Sequence, residues 1–204
     1  MNLDHVGRGG KGPGPGREGA DRGIIGGMGA ELVVLLADDG TELGTMPKAL
    51  VHTGETPLHR AFSAYLFDEA GRLLVTRRAA GKQTFPGLWT NTVCGHPGPG
   101  EDDATAVARR AGDELGLTVG ELRPALPAYR YRAEFQGVVE NEICPVYVGS
   151  FTGEPSPDPT EVGSWELLAW SLFRARQEAE REAWSPWCRE QARLLERTGL
   201  VRSR

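Results

Sequence analysis

The apolar residues of this chain come in short runs, and the longest, LVVLLA from Leu32 to Ala37, falls far short of the roughly 20 residues a bilayer-spanning helix needs. Runs this short, mixed with β-branched and aromatic residues and broken by turn signals, select strands of a layered domain. ELVVLLA, Asp38-Asp39-Gly40 and TELGTM form the pattern of a hairpin. AFSAYLF, the turn Asp68-Glu69-Ala70-Gly71 and RLLVTRR form a second. LWTNTVCG reads as a strand entering a loop at HPGPG, where prolines and glycines forbid regular structure. AYRYRAEF and VENEICPVYVGSF read as two further strands, and a proline-rich loop follows from Glu154 to Pro159.

Helices are fewer. Asp102 and Asp103 favour the positive end of one, Ala104, Val107, Ala108, Ala111 and Leu115 give it a single apolar stripe, and Gly116 ends it. Two more are expected from about Ser171 to Glu182 and from Trp187 to Arg197. Strands mixed with a few helices, without regular alternation, give an α+β sandwich. With 204 residues, 39% of them hydrophobic, one domain over 31–204 is expected, preceded by a tail over 1–30. That tail, RGGKGPGPGREGADRGIIGG in its middle, has neither the charged start nor the apolar segment of a secretory signal and is expected to be disordered, with Met28 a candidate translation start.

A formal net charge of -5 argues against a surface built for nucleic acid, so any anion site must be a local cluster of Lys and Arg. Cys94, Cys144 and Cys188 are too few and too irregularly spaced for a disulfide framework, which fits a reducing cytoplasm.

Gly95, Glu101 and the stretch Arg109 to Leu117 resemble the Nudix box, G-x5-E-x7-R-E-U-x-E-E-x-G-U with U apolar, and the spacing matches throughout. A loop feeding a helix offers backbone N–H groups and carboxylates that suit Mg²⁺ and a diphosphate. Arg110 and Asp113 depart from the pattern, standing where it has glutamates that help bind metal and activate water in Nudix hydrolases. Read without the box, Arg110 and Glu114 are an i,i+4 ion pair on an ordinary amphipathic helix.

TNTVCGHP from Thr90 to Pro97 and ENEICPV from Glu140 to Val146 are similar to the two signature segments of type I isopentenyl-diphosphate delta-isomerase, a Nudix-fold branch that isomerises instead of hydrolysing. The likeness continues through KALVHTGETPLHRAFS, TRRAAGKQTFPGLWTN, YRYRA and WSPW. It implies a Nudix-type α/β/α sandwich with a mixed sheet, and a small diphosphate as substrate. It also implies Cys94 and Glu142 as the proton-moving pair on opposite faces of that substrate, with Tyr131 beside Glu142 on the side read as donor. Since the reaction is reversible, which of the pair acts first stays open.

The same resemblance implies a divalent ion, Mn²⁺, Zn²⁺ or Mg²⁺, held by His52, His59, His96, Glu140 and Glu142. Spacing alone is silent on the histidines, because Gly54 and Pro57 rule out a shared helix face, but alternation along ENE puts Glu140 and Glu142 on one side of a strand. A second ion, Mg²⁺ carried by the diphosphate, is implied near Glu114 and the backbone carbonyl of Cys94. Lys48, Arg78, Lys82 and Arg110 match the family's diphosphate-binding residues, and Trp187 the aromatic face for the carbocation. The competing reading is a Nudix hydrolase of a nucleoside diphosphate derivative, which shares fold and Mg²⁺ but requires water where an isomerase excludes it.

Overall fold

The computed structural model describes residues 31–201; the expected disordered tail and the reading of Met28 as a start lie outside them. The elements are β1 (Leu32–Leu36), β2 (Glu42–Pro47), α1 (Lys48–Val51), β3 (His59–Arg60), β4 (Phe62–Phe67), β5 (Leu73–Arg78), β6 (Trp89–Thr90), β7 (Val93–Gly95) and α2 (Asp103–Leu115), in chain order. They continue with β8 (Thr118–Leu126), β9 (Arg130–Phe135), β10 (Val138–Ile143), β11 (Val146–Thr152), β12 (Val162–Leu168), α3 (Trp170–Ala179) and α4 (Pro186–Thr198).

Two mixed sheets result. The smaller has the order β2-β1-β3-β10-β9, and the larger β12-β5-β4-β11-β8, with β6 on β5 and β7 on β4. The one parallel pairing in each, β3 with β10 and β4 with β11, joins them. The chain passes from the smaller sheet to the larger at Ala61 and again at Cys144-Pro145, and the crossings are tied where Ala61 N donates to Ile143 O and Ser63 N to Pro145 O, both at 3.0 Å.

Period-two alternation makes the larger sheet the middle of a sandwich. Phe62, Ala64 and Leu66 of β4 and Leu74 of β5 face Ala106, Val107, Ala111 and Leu115 of α2. Tyr65, Leu73 and Val75, one position out of phase, face Trp170 and Phe173 of α3 and Trp187, Ala192 and Leu195 of α4. This is the expected α/β/α sandwich. At the head of α2, the Asp102 side chain accepts from Thr105 N at 2.9 Å, and Gly116 ends the helix at φ 67°, where a side chain would be strained. Phe173 is fully buried against Trp170 and Trp184. Phe173→Ala is therefore expected to cost about 3–5 kcal/mol, measured by denaturant unfolding, with the site chemistry left intact at low temperature.

Some expectations change. VENEICPVYVGSF is not one strand but two, β10 and β11, in different sheets, because Pro145 has no N–H to donate and the chain turns there. LWTNTVCG likewise divides into β6 and β7. The second hairpin pairs only beside its turn, Phe67 with Leu73, and then splays to admit β6 and β7 between β4 and β5. Strands β8 and β12 and the short helix α1 were not anticipated from pattern. Among the described residues, no helix is long and apolar enough to cross a membrane.

Candidate active site

Three buried histidines from three segments converge where the two sheets join. His52 follows α1, His59 lies on β3, and His96 follows β7. Their ring centroids are 5.0, 5.2 and 5.5 Å apart. Glu142 of β10 is the register partner of His59, and its Oε1 lies 3.4 Å from His59 Nε2 and 3.2 Å from His96 Nε2. The ligand atoms of His52, His59, His96 and Glu142 all lie within 4.8 Å of one another, a set that could hold a metal ion. Glu140 stands beside the four, its Oε2 3.0 Å from His52 Nε2, on the same buried side of β10 that alternation predicts.

The donor set fits a divalent ion. His59 Nδ1 stands 2.9 Å from the Pro57 carbonyl, an arrangement that fixes its tautomer and turns the Nε2 lone pair inward. That Nε2 sits 3.2 Å from His96 Nε2. His52 Nε2 and Glu140 Oε2 are buried without an aligned hydrogen-bond partner. Lone pairs crowded together at such distances require a shared cation or proton. Burial pushes the Glu142 carboxyl up, but His59 and His96 outweigh it and hold it well below the usual range. Burial lowers both imidazoles and prevails at His96, whereas Glu142 raises His59 above its ordinary value.

Cys94 faces the same cavity, of about 420 Å³, as Glu142, Tyr131 and Trp187. β7 places it opposite Ser63, whose Oγ is 3.4 Å from the Cys94 sulfur. Burial raises the thiol's pKa, against contacts with Ser63 and Asn91 that lower it. Tyr131 is the cross-strand neighbour of Glu142 and lies 5.5 Å from the Trp187 ring. Trp187 is packed edge-on by Phe85 at 4.9 Å.

Lys48, Arg78, Lys82 and Arg110 line this cavity too. Arg78 is fixed by the Thr84 carbonyl at 2.8 and 3.0 Å and by Thr84 Oγ1 at 2.7 Å, with its guanidinium 5.8 Å over Trp187. Lys48 contacts Glu31 at 2.9 Å, and burial together with Arg110 lowers its pKa. Arg110 pairs with Glu114, as i,i+4 spacing allows, but the pair is buried rather than on the surface. It also reaches Glu31 at 3.7 Å and Glu161 at 3.6 Å, and Lys82 pairs with Glu161. Gly95 permits this approach, since a Cβ there would stand 3.1 Å from both Arg110 and Phe62.

Glu114 lies just outside the main cavity. With Cys94, Lys82 and Glu161 it lines a recess of about 20 Å³, room for one ion or water. Glu114 Oε1 is buried against the Arg110 guanidinium, so the recess already brings a cation and a carboxylate together.

Every site residue named from the sequence thus lies in or beside one cavity. Glu31, Glu161, Ser63 and Asn91 were not foreseen. Asn91 stood inside the quoted TNTVCGHP and had a signal; Glu161, after the proline-rich loop, had none.

The NUDIX domain family model matches residues 57–188. A crystal structure from Deinococcus radiodurans, 22% identical, superposes with a TM-score of 0.61 over 82% of this chain and 99% of its own, and one of a MutT protein from Methanosarcina mazei, 19% identical, with 0.56 over 72% and 98%. These support the fold alone. Isopentenyl-diphosphate Delta-isomerase of Mycolicibacterium vanbaalenii is 54% identical, covering 84% of this chain and 94% of its own. The enzyme of the same name from Frankia alni is 55% identical over 78% and 82%. By sequence and by fold, this chain belongs to the NUDIX-domain family of isopentenyl-diphosphate Delta-isomerases.

Proposed function

We propose that the chain interconverts isopentenyl diphosphate and dimethylallyl diphosphate, with Cys94 and Glu142 as the groups that move protons. The observation that carries this reading is one cavity lined at once by Cys94, Glu142 and Trp187 and by Lys48, Arg78, Lys82 and Arg110. One part of such a lining suits an alkene and the other a diphosphate.

The reaction adds a proton to the terminal alkene carbon, leaving a tertiary cation, and removes a proton from the carbon two positions along. An alkene is a weak base, so the donor must be held close and water kept out. Glu142 and Tyr131 form one side of the proton path and Cys94 the other, and the sides exchange roles with direction. The Trp187 face attracts the cation by about 0.5–2 kcal/mol without offering a nucleophile. The four cations grip the phosphates, and Glu31 and Glu161 give up their ion pairs to the incoming oxygens. A Mn²⁺, Zn²⁺ or Mg²⁺ ion at the His/Glu cluster would be held by His52, His59, His96, Glu140 and Glu142 and would supply positive charge that orients Glu142 and shifts its pKa. Mg²⁺ bound by the diphosphate would meet Glu114 and the Cys94 carbonyl and offset phosphate charge.

A hydrolase reading is disfavoured by Arg110, a cation at a position where water-activating boxes carry a carboxylate. Turnover on a free thiol belongs in a reducing compartment, here the cytoplasm, and the three cysteines are unpaired. NMR of the protein with isopentenyl diphosphate and Mg²⁺ in D₂O should give dimethylallyl diphosphate carrying deuterium. Phosphate release without deuterium uptake would sink the proposal.

A further inference from the structure

We infer that Asn91 is a positioning residue that holds the Cys94 thiol and the Trp187 indole as one unit facing the substrate; this rests on the isomerase reading above. Asn91 sits between β6 and β7, in the wedge opened by the splaying of β4 and β5, and is wholly buried. Its Nδ2 donates to the Ala64 and Val93 carbonyls, both at 3.0 Å. With both amide hydrogens committed to backbone acceptors, the amide has one orientation.

That orientation turns Oδ1 toward three donors. Cys94 Sγ lies at 3.2 Å, Trp187 Nε1 at 3.3 Å and Thr90 Oγ1 at 2.9 Å. One oxygen atom therefore fixes a residue of the sheet and a residue of α4 that lies 96 positions further along the chain. A flipped amide would set N–H groups against those donors and against no acceptor.

α4 braces the unit from behind. One turn after Trp187, Gln191 Nε2 donates to Ser63 Oγ at 3.0 Å, and the Ser63 hydroxyl faces the Cys94 sulfur. The Nδ2 bonds serve the fold; the Oδ1 bonds aim the chemistry. Asn91 lines neither the substrate cavity nor the cation cluster, so its loss should misplace the reacting groups without weakening diphosphate binding.

The test is steady-state kinetics with isopentenyl diphosphate and Mg²⁺ on Asn91→Ala, beside parent protein, with metal content and thermal unfolding measured on both. A misplacement of about 1 Å costs on the order of 10²-fold, so kcat should fall about 100-fold while KM stays within about twofold and metal content is unchanged. Trp187→Phe keeps an aromatic face and removes the Nε1 donor; it should lower kcat about tenfold at unchanged KM, and it carries the test if Asn91→Ala does not fold. Combined, the two should cost little more than Asn91→Ala alone, because both break one bond. A folded variant with kcat within about threefold of parent, or a joint decline of kcat, KM and metal content, overturns the inference. Parent protein that yields no dimethylallyl product overturns the isomerase reading itself, and this inference with it.

Discussion

Cys94→Ala should abolish isomerisation while leaving a folded protein. Removal of a positioned proton donor or acceptor costs about 10²–10⁴-fold, and an alkene substrate places the loss at the upper end, about 10³-fold or more. The fold survives because no buried partner is orphaned. Asn91 Oδ1 keeps its bonds from Thr90 and Trp187, and Ser63 Oγ keeps Gln191 and the Cys144 sulfur. A stability change within about 2 kcal/mol is expected, below the range for emptying a large core site. Deuterium uptake at the parental rate would remove Cys94 from its role.

Glu142→Gln is expected to have a comparable effect on turnover for two reasons at once. It removes the carboxylate proposed to move a proton, and it removes the anion that both His59 and His96 approach. Metal content and turnover should fall together. Glu140→Gln separates the two roles, since Glu140 contacts His52 at 3.0 Å and has no part in the proposed proton path. Its activity should return when the metal is supplied in excess, whereas that of Glu142→Gln should not. Recovery of Glu142→Gln under excess metal would reduce Glu142 to a ligand.

The parts of this structure legible in the sequence are those decided by local physics. The β-branched and aromatic residues of AFSAYLF and RLLVTRR around a Gly-containing turn were enough to predict β4 and β5, and the acidic start, apolar stripe and Gly116 were enough to predict α2. β8 escaped because TVGELRPAL is an edge strand, with Glu121, Arg123 and Pro124 where a buried strand would be apolar, and only its pairing with β11 makes it a strand. β12, largely half-buried, is likewise set by its register with β5. In the buried His/Glu cluster, alternation along ENE put Glu140 and Glu142 on one side of β10, whereas the place of the histidines depends on how three segments meet and was named by resemblance. Asn91 was visible as a letter in a motif, but its role rests on which way its amide points.

The parallel pairings that join the two sheets also bear on how the protein folds. Ser63 and Cys144, 81 positions apart, meet at that junction, and the histidines and Glu142 meet beside it. Pairings so distant in sequence bear a large loop-closure entropy and form late. The hairpins and α2 can therefore organise while the His/Glu cluster is still open, and a metal ion that the cluster could hold would be taken up only when the last long-range contacts close. In a refolding experiment, metal uptake would mark completion of the native state, trailing the recovery of secondary structure.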